Sequence, residues 1–93
     1  MKYSIKFTSQ LKKDFKLAKK QGKNLNKLFE VVDALATGKT LEAKYRDHNL
    51  SGKYSATREC HIEPDWLLVY EIIDESLVLI LYRIGSHAKL FKL

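Results

Sequence analysis

Residues 2–7 alternate, with Tyr3, Ile5 and Phe7 in one set of positions and Lys2, Ser4 and Lys6 in the other. A period of two is that of a half-buried strand, so the chain is expected to open on one. The period then lengthens. After Thr8 or Ser9, either of which can cap a helix, Leu11, Phe15 and Ala18 recur at spacings of four and three, while Lys12, Lys13, Lys16, Lys19 and Lys20 take the other faces. Gly22 ends that helix. In a second one, Leu25, Leu28, Phe29, Val32, Leu35 and Ala36 form one stripe before Gly38 supplies the stop. Two helices so patterned are expected to run antiparallel with a shared apolar side.

From Thr40 to Lys53 the periodicity lapses, and the segment holding Tyr45, Arg46, Asp47, His48 and Asn49 before Gly52 reads as a loop. Three strands are expected next, roughly Tyr54 to Ile62, Trp66 to Ile73 and Ser76 to Ile84, joined by turns at Glu63-Pro64-Asp65 and Asp74-Glu75. The fold class is therefore α+β in a single domain, 1–93: an N-terminal strand, two helices, a three-stranded antiparallel meander and a short C-terminal tail. A two-residue turn at 74–75 pairs Ile73 with Ser76 and carries Trp66 opposite Arg83. A three-residue turn at 63–65 pairs Ile62 with Trp66 and His61 with Leu67. His61, Asp65 and the segment after Arg83 then gather at one end of the sheet. Tyr54, Tyr70 and Tyr82 lie inside strands and read as core.

Charge changes this picture more than composition does. Seventeen Lys and Arg against eleven Asp and Glu give +6, which favours a polyanionic partner, nucleic acid or an acidic protein segment. Seven of those lysines fall between Lys12 and Lys27 against the single acid Asp14, a stretch suited to phosphate contacts or to a plain solvated face. Cys60 is the lone cysteine, so no intrachain disulfide forms. The alternating N-terminus does not resemble a signal peptide, and the longest apolar run, Leu77 to Tyr82, is too short to span a bilayer. A cytoplasmic domain without membrane contact is expected.

The three histidines, His48, His61 and His87, each sit beside a turn signal or a strand end. Imidazole titrates near neutrality, so two of them supply a base and an acid without a cofactor. The competing description is three unrelated surface histidines; the expected convergence at one sheet end weakens it. RNA offers the matching reaction, because its 2′-hydroxyl attacks the adjacent phosphodiester once a base takes its proton and an acid protonates the departing 5′-oxygen. A guanidinium such as Arg83 would steady the charge that builds on the non-bridging oxygens, whereas Arg46 and Arg58 read better as solvated or ion-paired. Trp66 and Phe91 are candidates to stack a base, in competition with core packing. A zinc or iron site from the histidines and Asp65 is disfavoured by spacing, since no HExxH or CxxC occurs. Cys60 and His61 are neighbours on a strand and point to opposite faces, so they cannot act as a pair.

Three segments, DHNLSGKY from Asp47, RECHIEPDWLLVY from Arg58 and RIGSHAKLF from Arg83, resemble the YafQ-like toxins of the RelE superfamily in order and spacing. The resemblance implies a RelE-like fold and an active-site cluster of His48, His61, Asp65 and His87, with Phe91, Trp66 and Arg83 beside it. It implies cleavage of mRNA on the translating ribosome without a cofactor or metal. It also implies a DinJ-like antitoxin as partner, with operator DNA bound only through the complex. Within it, His87 is assigned as general acid, the His61–Asp65 side as general base, His48 as an orienting or charge-stabilising residue and Arg83 as phosphate clamp. A fold that serves only as an antitoxin-bound corepressor is the alternative.

Overall fold

The computed structural model describes residues 1–52 and 56–91. β1 (Ser4–Phe7) leads into α1 (Ser9–Lys20) and α2 (Leu25–Ala36); β2 (His48–Asn49), β3 (Arg58–Glu63), β4 (Trp66–Ile73) and β5 (Val78–Gly85) follow, and α3 (His87–Phe91) closes the chain. Thr8 caps α1 by accepting from the Leu11 amide, and Asn24 caps α2 in the same way through the Asn26 amide. The strands form one sheet in the order β1-β5-β4-β3-β2. β2 to β5 run antiparallel, but β1 lies parallel to β5, so the expected N-terminal strand and meander are parts of a single mixed sheet.

α1 and α2 cover one face. Leu11 and Ala18 of α1, and Leu28, Val31 and Leu35 of α2, pack on Cys60, Leu68, Tyr70, Leu79 and Leu81. The other face of β4 is also covered, by Leu90 of α3 lying on Leu67 and Val69. Coverage on both faces explains why β4 reads as a continuous apolar run instead of an alternating one.

Five expectations need correction. The segment expected as a loop holds a 3-10 turn at Ala43–Tyr45 and the short strand β2, which pairs with β3. Asp74-Glu75 is not a two-residue turn: residues 74–77 form a short 3-10 turn closed by Leu77 at φ 54°, and Ile73 pairs with Val78. A further register shift beside Val69 sets Arg83 opposite Val69, not Trp66. On the other hairpin His61 pairs with Leu67 as expected, but a shift after it puts Glu63, not Ile62, opposite Trp66. Phe29 leaves the α2 stripe and is 51% exposed, because Val31 takes the sheet-facing position while Phe29 meets Phe15 of α1 with ring centroids 6.2 Å apart. Tyr70 is core and Tyr82 packs against the smaller apolar cluster. The expected core position of Tyr54 lies outside the described residues.

Candidate active site

β3 builds the site by simple alternation. Cys60 and Ile62 turn toward the helices and are buried there, so Glu59 and His61 turn to the opposite face. β2 pairs His48 directly across from Glu59, which brings a second imidazole to that face. The third comes from α3. Gly85, opposite Leu67, is where β5 gives way to that short helix; an added Cβ there would sit 3.1 Å from Leu90 Cδ2. The missing side chain lets α3 fold down on the sheet and carry His87 over Glu59.

The three imidazoles converge on one oxygen. Glu59 Oε1 lies 3.2 Å from His61 Nε2, 3.6 Å from His87 Nε2 and 4.0 Å from His48 Nε2. The rings stand in a row, His48 to His61 at 6.4 Å between centroids and His61 to His87 at 5.6 Å, with Phe91 beyond at 5.8 Å from His87. Glu59 is 2% exposed, and a carboxylate so buried requires partners of the kind these rings supply. Sequence reasoning passed over it. Its signal was available: Glu59 is two residues from His61 and so on the same strand face.

Ring orientation is fixed from outside. His48 Nδ1 donates to the Arg46 carbonyl at 2.7 Å and His61 Nδ1 to the Pro64 carbonyl at 3.2 Å, because a carbonyl only accepts. Both Nε2 atoms are thereby left facing Glu59. Asp65 attends His87, not His61: its carboxylate accepts from the His87 amide at 3.1 Å and lies 3.7 Å from His87 Nδ1.

Behind the cluster, Asp47 accepts two bonds from Arg58, at 3.2 and 3.1 Å, and one from the Tyr70 hydroxyl. This latch ties the segment preceding His48 to β3 and β4. Arg58 is thus ion-paired, and its pKa is raised, chiefly by the Asp47 hydrogen bond. Burial and the bond to Asp47 push the Tyr70 phenol up as well. Burial likewise raises the Cys60 thiol well above its ordinary value, which leaves it inert as a nucleophile.

Arg83 is committed elsewhere. Its Nε and an Nη donate to the two oxygens of Asp14 at 2.7 and 3.1 Å, and the Ile84 amide donates to the same carboxylate at 3.2 Å. Asp14, whose side chain is wholly buried, therefore satisfies the part of the β5 edge that β1 does not reach. Burial alone would raise its carboxyl pKa; the bonds from Arg83 and Ile84 outweigh that and hold it below the usual range. Trp66 is 2% exposed in the core, with no open ring face for a base, and Lys23 Nζ lies 5.9 Å from its ring centroid. Phe91 is partly exposed beside His87. The structure thus brings His48, His61, His87, Asp65 and Phe91 together with Glu59, and holds Trp66 and Arg83 in packing and ion-pair positions.

Comparison with known proteins gives a consistent result. Residues 3–92 match the family described as the bacterial toxin of type II toxin–antitoxin system, YafQ. The chain is 41% identical over 88 residues, 94% of each chain, to the mRNA interferase toxin YafQ of Escherichia coli strain K12. It superposes on the toxin in the crystal structure of the E. coli DinJ-YafQ toxin–antitoxin complex with a TM-score of 0.88 and 39% identity, over 98% of this chain and 99% of that one. A metal-bound toxin from Helicobacter pylori gives a TM-score of 0.90 at 44% identity, over 96% and 99%.

Proposed function

This chain belongs to the YafQ family of type II toxin–antitoxin toxins, and from that membership and the geometry of its histidine cluster we propose that it cleaves mRNA on the translating ribosome. The observation that carries the proposal is the convergence of three Nε2 atoms on Glu59 Oε1. Exposure divides the roles. The side chains of His48 and His87 are 51% and 42% exposed, whereas those of His61 and Glu59 are 8% and 3%. Only the two outer histidines are open to a phosphodiester.

His87 keeps the role of general acid, protonating the departing 5′-oxygen. The base moves from the His61–Asp65 side to His48, which removes the 2′-hydroxyl proton as that oxygen attacks phosphorus and yields a 2′,3′-cyclic phosphate. His61, engaged at both nitrogens, is a positioning residue: it holds Glu59, whose carboxylate oxygen faces both outer rings. Asp65 orients His87 and Phe91 offers a ring against which a base can rest. Two imidazoles complete the proton inventory of this reaction, so a metal has no necessary part in it. The chain supplies acid and base; the ribosome supplies alignment, so free RNA is a poor substrate. The lysines of α1 serve docking on ribosomal RNA through phosphate contacts.

The partner is a DinJ-like antitoxin. An apolar groove between α1, α2 and β1, lined by Ile5, Phe7, Phe15 and Phe29 and flanked by Lys12 and Lys16, suits an antitoxin segment with apolar and acidic residues. Operator DNA is bound through that complex. Among the described residues no helix is long and apolar enough to cross a membrane, and the cytoplasm is the compartment that holds the substrate. No observation favours a purely corepressor role. Expression without an antitoxin tests the function: growth arrest with cuts in translated mRNA is expected, and unimpeded growth with intact mRNA at confirmed expression would overturn it.

A further inference from the structure

We propose that Arg46 is a further catalytic residue, whose guanidinium holds the non-bridging oxygens of the scissile phosphodiester. This role rests on the function proposed above and deepens it.

The reaction leaves a charge unanswered. As the 2′-oxygen bonds to phosphorus and the bond to the 5′-oxygen breaks, one proton passes to His48 and one leaves His87. Neither transfer offsets the negative charge gathering on the two non-bridging oxygens, where a preorganised donor contributes most in the transition state. Glu59 sharpens the need, because its carboxylate oxygen, 4.0 Å from His48 Nε2 and 3.6 Å from His87 Nε2, places a second anion at the site.

The chain has three arginines, Arg46, Arg58 and Arg83, and a planar fork of donors suits a phosphate better than an ammonium does. Two of them are committed. Arg83 is bound at two nitrogens to Asp14, and Arg58 to Asp47 and Asn49. Arg46 is exposed and, among the described residues, has no carboxylate partner.

Its place is beside the base. Arg46 follows the 3-10 turn at Ala43–Tyr45, and its carbonyl accepts from His48 Nδ1 at 2.7 Å, so one residue orients His48 and carries a cation next to it. Its side chain lines a cleft with Lys27, Lys44, Tyr45, His61 and Pro64, which shares His61 with the row of imidazoles. The other two cations there are engaged, Lys27 with Glu63 at 3.2 Å and Lys44 with Glu42 at 3.8 Å. The backbone agrees. Arg46 takes φ 50°, a left-handed conformation uncommon outside glycine, and strain of this kind clusters at functional sites.

The test compares wild type, Arg46→Gln and Arg46→Lys on ribosomes programmed with a message whose cut is mapped, in single turnover at limiting and saturating toxin. Arg46 exchanges no proton, and Arg46→Gln keeps the carbonyl that orients His48, so the His48 imidazole nitrogen shifts should match wild type. The saturated rate should fall by about 10²-fold, the lower end for loss of one such donor because Arg46 is exposed, with Arg46→Lys in between. Sulfur is then placed at each non-bridging oxygen of the cut in turn. Wild type should cleave one diastereomer at least about tenfold more slowly than the other, and Arg46→Gln should cleave both alike. A docking or purely structural role would slow both diastereomers equally and leave their ratio in place. A wild-type saturated rate in Arg46→Gln, a loss confined to apparent affinity, displaced His48 shifts, or a diastereomer ratio that is absent from wild type or survives the substitution would overturn the role of Arg46. Wild-type protein that leaves the message uncut would instead defeat the proposed function, and this role with it.

Discussion

Glu59 Oε1 stands 3.2 Å from His61 Nε2, and this contact between two buried side chains is the centre around which the exposed histidines are arranged. Replacing Glu59 by Gln keeps the shape and removes the charge. Cleavage on programmed ribosomes should fall by at least about tenfold, because a charge aimed at the outer rings is lost from a poorly hydrated setting. Circular dichroism should show the fold retained. Wild-type cleavage by a folded Glu59→Gln protein would mean that the carboxylate has no part in the chemistry.

Asp14 joins α1 to the segment that ends in His87. Deleting one member of a buried ion pair costs about 3–5 kcal/mol, so Asp14→Ala should lose stability of that order in urea denaturation. Its pH dependence has a definite sign. The folded carboxyl titrates below its unfolded value of about 4, so its contribution is complete above that pH and fades as pH falls toward the folded pKa. The stability difference between wild type and Asp14→Asn should be flat at neutral pH and shrink below about pH 4.

The Asp47 latch holds the segment before His48. Asp47→Ala leaves Arg58 and Tyr70 without their shared acceptor and frees His48 to wander. Hydrogen exchange should quicken around residues 46–49, and cleavage should drop. Unchanged exchange there would show that the latch restrains nothing.

Gly85 gives α3 its approach. Gly85→Val puts branched bulk where even a Cβ is 3.1 Å from Leu90, and the φ of 158° adds strain. Displacement of α3 should abolish cleavage with a moderate loss of stability, about 1–3 kcal/mol. Full activity in this variant would contradict the placement of His87 by α3.

What the sequence made legible follows from period and local chemistry. The strand at Ile5, the helices around Leu11 and Leu28, and the strands through Leu68 and Leu79 announce themselves by spacing, and the three histidines by position. Register was less accessible. It turned on the 3-10 turn at 74–77, which Leu77 closes with a left-handed backbone that leucine seldom adopts. Asp14 and Glu59 were hidden because acids usually mark solvent, and only the tertiary partners Arg83, Ile84 and the histidines make their burial tolerable. Trp66 was ambiguous between core and stacking platform until α1 and α2 were placed over it.

The account stands most directly on His87. Purified His87→Ala, still able to bind its antitoxin, should be tested for mRNA cleavage on programmed ribosomes beside wild type, with the cut ends characterised. A loss of about 10²–10⁴-fold is expected, the range ordinarily contributed by a general acid, together with 2′,3′-cyclic phosphate ends in the wild-type products. Cleavage by His87→Ala at the wild-type rate, or wild-type products ending in a 3′-hydroxyl, would contradict it.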